Sequence, residues 1–243
     1  DKEIGQNLKM ILKKRGVVIH TQAVLEKIRE DNGLHCVFQT KGESMEIETE
    51  AVLIAAGRKA CTKGLFGNGI AVDMDQDKIK VNEHFQTNYK NIYGIGDVIG
   101  GISLAHMASA QGINAVCHMN GEEGKMNLDT VPSCVYTNPE IACVGMTAQE
   151  AKERGTEVIT SKYLMSANGK SLLTGQERGF IKLVAARDTG QILGAQLMCA
   201  RATDMISEIG LAIAGGLTKD KICSVIHPHP AFSEGIWEAA KAL

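Results

Sequence analysis

Apolar side chains recur at Ile4, Leu8, Ile11 and Leu12, a spacing that puts them on one face of a helix over residues 3–15, with Gly16 as its stop. Residues 17–21 form a short apolar run that reads as a buried strand, so helix and strand together look like the later part of a βαβ unit. Residues 24–28 and 34–40 flank Asn32-Gly33, whose tolerance of positive φ makes a hairpin. The apolar run Glu50-Ala-Val-Leu-Ile-Ala-Ala-Gly57 predicts a fully buried strand with its backbone bared at the glycine tip. Residues 78–81 and 92–95 predict two more short strands. A helix over 104–120 is expected to turn Met107, Ala110, Ile113, Val116 and Cys117 inward.

Around residues 121–129 the chain becomes polar and glycine-rich, and beyond that point its grammar changes. Thr147-Ala-Gln-Glu150 has the form of a capping box, opening a helix that runs to Arg154 and closes at Gly155. A strand follows over 157–164. Strands over 180–187 and 191–199 are joined through Asp188-Thr189-Gly190, and helices are expected near 203–214, 218–225 and 233–242. The pattern therefore predicts an α/β front followed by an α+β domain with an antiparallel sheet and helices.

With 243 residues, 44% of them hydrophobic, the chain can bury a sizeable core in one or two domains. The net charge of −2 and the scattered lysines argue against nucleic acid or an acidic membrane surface, which need clustered cations. No apolar run approaches the roughly 18 residues of a membrane span, and Asp1-Lys2-Glu3 does not open a signal peptide. Seven cysteines at scattered spacing include no CxxC pair, so they read as small buried hydrophobes in a reducing cytoplasm.

Three segments carry candidate chemistry. Ile92-Tyr-Gly-Ile-Gly-Asp97 is a glycine-lined turn where a ligand can approach the backbone while Asp97 accepts hydrogen bonds from ligand hydroxyls. Gly100 falls one place late for G-x-G-x-x-G, and a tight turn capped by Asp97 is an equal alternative. Ser103, Leu104, Ala105 and His106 open the next helix, whose free amides suit an electron-rich atom or simply begin a helix. His227-Pro-His229-Pro-Ala-Phe-Ser-Glu234 is the third. Its two prolines hold both histidines displayed, Ser233 is expected to cap the last helix, and Glu234 can fold back onto a histidine. That pattern fits a base with its orienting carboxylate, a two-His metal site lacking a nearby third ligand, or a surface turn.

Ala55-Ala-Gly57-Arg58, Asn91-Ile-Tyr-Gly-Ile-Gly-Asp97-Val98 and His229-Pro-Ala-Phe-Ser-Glu234, in that order, resemble the pyridine nucleotide–disulfide oxidoreductases over essentially the whole chain. The paired histidines resemble most closely the family's dihydrolipoamide dehydrogenases. The resemblance implies a partial NAD-binding, Rossmann-like region over 1–57, an FAD-contacting segment over 58–125 and a dimerisation domain over 126–243. It implies that Asp97 bonds the ribityl chain of FAD and that Ser103, Leu104, Ala105 and His106 lie along the flavin. Gly57 would end against the nicotinamide nucleotide. His229 would be the acid–base catalyst for a substrate dithiol, oriented by Glu234 and serving the other subunit of a homodimer. It further implies a dihydrolipoyl-bearing partner, the acyltransferase of a 2-oxoacid dehydrogenase complex or the glycine cleavage carrier protein. No metal is implied.

The sequence also departs from the family. Its G-x-G-x-x-G flavin loop, Cys-x4-Cys redox pair and second nucleotide loop do not occur here, and Lys59-Ala60-Cys61 replaces a proline and a polar residue. The chain is thus expected to begin inside the NAD domain, to hold the base without the electron path and to be inactive alone. Two other readings stand beside it: a non-catalytic dimerisation or docking module, and another disulfide reductase of the family.

Overall fold

The structure, a computed structural model, describes residues 1–176 and 178–243. It divides into two compact units, one of Lys2–Arg58 and one of Asp1 with Lys59–Leu243.

The smaller unit opens with helix α1 (Lys2–Lys14), which buries Ile4 and Ile11 as its periodicity requires. Strands β1 (Ala23–Glu30), β2 (Leu34–Thr40) and β3 (Glu43–Thr49) form an antiparallel meander in chain order. Asn32 and Gly33 turn between β1 and β2 with φ of 51° and 151°. Two expected strands are absent. Residues 17–21 make no ladder: Val17 N–H donates to Leu12 O to close α1, and Val18 is exposed. Residues 50–57 also pair with no strand among the described residues, and Leu53 and Ile54 are 91% and 73% exposed. A continuous apolar run can be buried only where strands flank it on both sides, and none is placed there.

In the larger unit, β4 (Met74–Asp75) and β5 (Lys78–Ile79) form a minimal hairpin. Residues 92–95 form a single bridge, Tyr93 to Gln86, instead of a strand. A 3-10 turn at Gly96–Ile99 leads to α2 (Ala105–Met119). Ala110, Gln111, Ala115 and Cys117 form the buried face of α2, whereas Ile113 and Val116, expected inside, are 46% and 54% exposed. Apolar residues ring this helix, so its periodicity does not select a face; the turn at Gly96 does, by taking Gln111 inward.

Beyond α2 lie β6 (Ser133–Val135), β7 (Glu140–Gly145), α3 (Ala148–Glu153), β8 (Val158–Leu164), α4 (Gly169–Leu173), β9 (Phe180–Ala186), β10 (Ile192–Cys199), α5 (Ala202–Ala214), α6 (Lys219–Cys223) and α7 (Glu234–Lys241). The strands form one antiparallel sheet in the order β6-β7-β10-β9-β8. β6, β7 and α4 were not expected: β6 has three residues, and the apolar run of β7, buried at Ile141, Ala142 and Val144, lacks a clean alternation.

Register puts Ala142 and Val144 of β7, Leu197 and Ala195 of β10, and Ile181 and Leu183 of β9 side by side on one face. α5 lies over β7 and β10, and α7 over β8 and β9, burying Ile206, Ile209, Ile236 and Ala239 against that face. Each such Leu or Ile contributes about 1.5–3 kcal/mol by leaving water. Gly235 sets how near α7 comes, because a Cβ there would meet Ile181 Cδ1 at 2.8 Å. The first turn of α7, with Glu234 in it, is thereby seated on β9. The seven cysteines are all free, but only Cys117 and Cys199 are fully buried and Cys61 is exposed, so the expectation that most of them are buried is corrected.

Candidate functional site

His229 and Glu234 come together. The His229 Nδ1 lies 2.7 Å from Glu234 Oε1, and the Ala231 N–H donates to Glu234 Oε2 at 2.8 Å. Above all the Ala231 amide holds the Glu234 carboxyl below the usual carboxylate range; partial burial opposes this, and the His229 hydrogen bond adds to the lowering. An ionised carboxylate only accepts, so the proton between the two groups sits on His229 Nδ1, and in the neutral ring the lone pair is then on Nε2. The His229 side chain is 77% exposed, its Glu234 partner 23%.

Two expectations here are corrected. Ser233 does not cap α7 with its side chain, because its backbone is already helical (φ −64°, ψ −19°) and its carbonyl accepts from Ile236 N–H. Nor is His227 displayed. Its side chain is 7% exposed, with Nε2 3.0 Å from Glu208 Oε1 on α5 and Nδ1 3.0 Å from Val225 O. The prolines keep the segment out of a helix, but α5 supplies a carboxylate that draws one of the two rings in.

Sequence reasoning also overlooked Asn168, 2% exposed in the turn before α4, whose Nδ2 donates to Ala231 O at 2.9 Å. Its place ahead of Gly-Lys-Ser is that of a helix cap, a signal that says nothing of a partner 63 residues away.

The second grouping joins the 92–97 turn to α2. Gly96 has φ +70°, its N–H donates to Gln111 Oε1 at 2.7 Å, and a Cβ on it would meet the Ala108 Cβ at 3.0 Å. Backbone is thus pressed onto α2, and Asp97 stands exposed in the 3-10 turn above it. α2 begins at Leu104 without a side-chain cap, so Ser103, Leu104, Ala105 and His106 present a helix N-terminus. The His106 Nε2–H donates to Pro132 O at 2.8 Å, tying that first turn to the approach to β6. Glycine-lined backbone, a carboxylate and the first turn of a helix are thus brought together. Gly57, in the smaller unit, has φ +108° and open space around its Cα.

Residues 1–112 match the pyridine nucleotide-disulphide oxidoreductases, and residues 131–240 match the dimerisation domain of the same family. A dihydrolipoyl dehydrogenase of Bacillus subtilis is 38% identical over 99% of the chain, and one of Geobacillus stearothermophilus is 36% identical over 99%. The chain spans 52% of the length of each of these relatives. Among solved structures, the HOCl-induced flavoprotein disulfide reductase RclA of Escherichia coli superposes with a TM-score of 0.87 at 28% identity, covering all of this chain and 56% of that one. LpdA of Mycobacterium tuberculosis superposes with a TM-score of 0.87 at 26% identity, covering 96% of this chain and 51% of the other. With 1–112 and 131–240 matched in one order and the whole chain superposing on a flavoprotein disulfide reductase, the protein belongs to the pyridine nucleotide-disulphide oxidoreductase family.

Proposed function

We propose that this chain supplies the acid–base and interface half of a flavoprotein that oxidises dihydrolipoamide to lipoamide with NAD as final acceptor, and that it is inactive without the missing parts. The observation that carries this reading is the 2.7 Å contact between His229 Nδ1 and Glu234 Oε1, with the Ala231 amide on the other carboxylate oxygen. It leaves an exposed Nε2 that can take a proton from a substrate thiol, and the thiolate so formed can attack a disulfide. Asp97 and the first turn of α2 (Ser103 to His106) would hold one edge of FAD. When bound, the flavin supplies the two-electron acceptor that dithiol oxidation requires.

The division into residues 1–57, 58–125 and 126–243 belongs to this reading, with the last forming a homodimer so that His229 serves the partner's site. A dihydrolipoyl-bearing acyltransferase or the glycine cleavage carrier protein would be the macromolecular substrate. Seven free cysteines suit a reducing compartment such as the cytoplasm.

The test is His229→Gln in the complete, flavin-loaded protein. General acid–base catalysis is worth roughly 100- to 10,000-fold, and dithiol oxidation should fall by that order. An unchanged rate would overturn the assignment. The likeness to RclA favours a second reading, another disulfide reductase of the family. Turnover with dihydrolipoamide against turnover with glutathione disulfide separates the two.

A further inference from the structure

An exposed base has little packing to orient it. His229 is 77% exposed, so its ring direction rests on Glu234, and Glu234 in turn rests on the Ala231 N–H. Ala231 is held at both of its backbone groups. Its N–H donates to Glu234 Oε2, and its carbonyl accepts from Asn168 Nδ2 at 2.9 Å. We propose that Asn168 is a positioning residue for His229, acting through the Ala231 backbone to fix the carboxylate that sets the imidazole tautomer. The inference rests on reading His229 and Glu234 as the base and its orienter.

The choice of side chain supports it. Asn168 Oδ1 accepts from Ser171 N–H at 2.9 Å and from the Ser171 hydroxyl at 3.0 Å, and Ser171 is wholly buried. Asp, Ser or Thr could cap α4 as well as Asn does. Only an amide also carries a donor on its other arm, and that arm is the one that reaches Ala231. A 2% exposed amide with both ends engaged is rigid, since a buried polar group that loses its partner bears the full desolvation penalty. The catalytic loop is therefore referenced to the β8–α4 connection, an element separated from it by 63 residues.

The experiment uses the 15N-labelled 243-residue chain and long-range 1H–15N correlation of the imidazole rings, with His229→Gln to assign the signals. The wild type should show His229 as a single tautomer protonated on Nδ1. Asn168→Ser keeps a hydroxyl cap for α4 but offers Ala231 no donor from the amide's position. It should melt cooperatively, as followed on Trp237, while His229 loses its fixed tautomer. An unchanged His229 tautomer in a folded Asn168→Ser chain overturns the proposal. If that variant does not melt cooperatively, Asn168→Asp decides, because it keeps Oδ1 for Ser171 and turns an acceptor toward the Ala231 carbonyl. Loss of the fold in both variants would assign Asn168 to the fold rather than to the base, and overturns the proposal too. Glu234→Gln separates the two levels. If the tautomer persists there, the His–Glu reading itself fails; if it is lost there but kept in Asn168→Ser, only the role of Asn168 fails.

Discussion

Replacing Glu234 by Gln removes one charge and almost no volume, and the structure says what that should cost. The carboxylate accepts from the Ala231 N–H at 2.8 Å and from His229 Nδ1 at 2.7 Å. Hydrogen bonds to charged groups contribute about 1.5–3 kcal/mol and neutral ones roughly half that, so retaining the Ala231 bond through the Gln Oε1 loses about 1 kcal/mol. The contact to His229 adds little, because a 77% exposed partner is screened by water. Glu234→Ala leaves the Ala231 N–H unpaired and should lose about 2–3 kcal/mol. Urea unfolding reports both, with Trp237, the single tryptophan, as a local probe on α7. The pH dependence gives the sharper check. Glu234 titrates below its ordinary value in the folded state, so its stabilisation is present above the unfolded carboxylate pKa of about 4.3 and is lost as pH falls through the folded value. The gap between wild type and Glu234→Gln should be full at pH 7 and close below about pH 4. A gap that is the same at pH 7 and pH 3, or absent at pH 7, would refute the reasoning.

Three further outcomes follow from the packing. Gly194→Ala would set its Cβ 2.0 Å from Met146 O, a clash with backbone that should cost roughly 3 kcal/mol or more in urea unfolding. Leu183→Ala empties a fully buried site in the sheet and should cost about 2–5 kcal/mol, with a cooperative transition retained. Burial, with a smaller contribution from Glu140, pushes the Cys199 thiol up to about 12, while Cys61 stands in solvent. Iodoacetamide at pH 8 should therefore label Cys61 in the native chain and reach Cys199 only on unfolding, as peptide mapping would show.

What could be read from the residues shares one property: the groups involved lie close together along the chain. Asn32-Gly33 turned between β1 and β2, Asp188-Thr189-Gly190 between β9 and β10, and Thr147 exchanged bonds with Glu150 as a capping box. His229 and Glu234 are five residues apart, near enough for a carboxylate at a helix start to fold back onto a histidine of the extended proline segment. Patterns that needed distant neighbours did not carry. The apolar run ending at Gly57 has the composition of a buried strand, yet no described strand flanks it. α2 is apolar on several sides, and only the Gly96 turn decided that Gln111, not Ile113, goes inside.

The sequence by itself therefore determined the local chemistry: turn types, the Thr147–Glu150 capping box, the β9–β10 hairpin, and a histidine with its carboxylate. Hydrogen bonds within a few residues are set by backbone dihedrals that side chains such as Gly, Pro, Asn and Thr bias directly. Only the tertiary structure decided which histidine is buried and which is displayed. It did so by bringing Glu208 of α5 to His227, and it placed Asn168 beneath Ala231 across 63 residues. Such contacts depend on how α5 and α7 lie over the sheet. That arrangement follows from burying Ile206, Ile209, Ile236 and Ala239 against one face, a non-directional force that no short stretch of residues encodes.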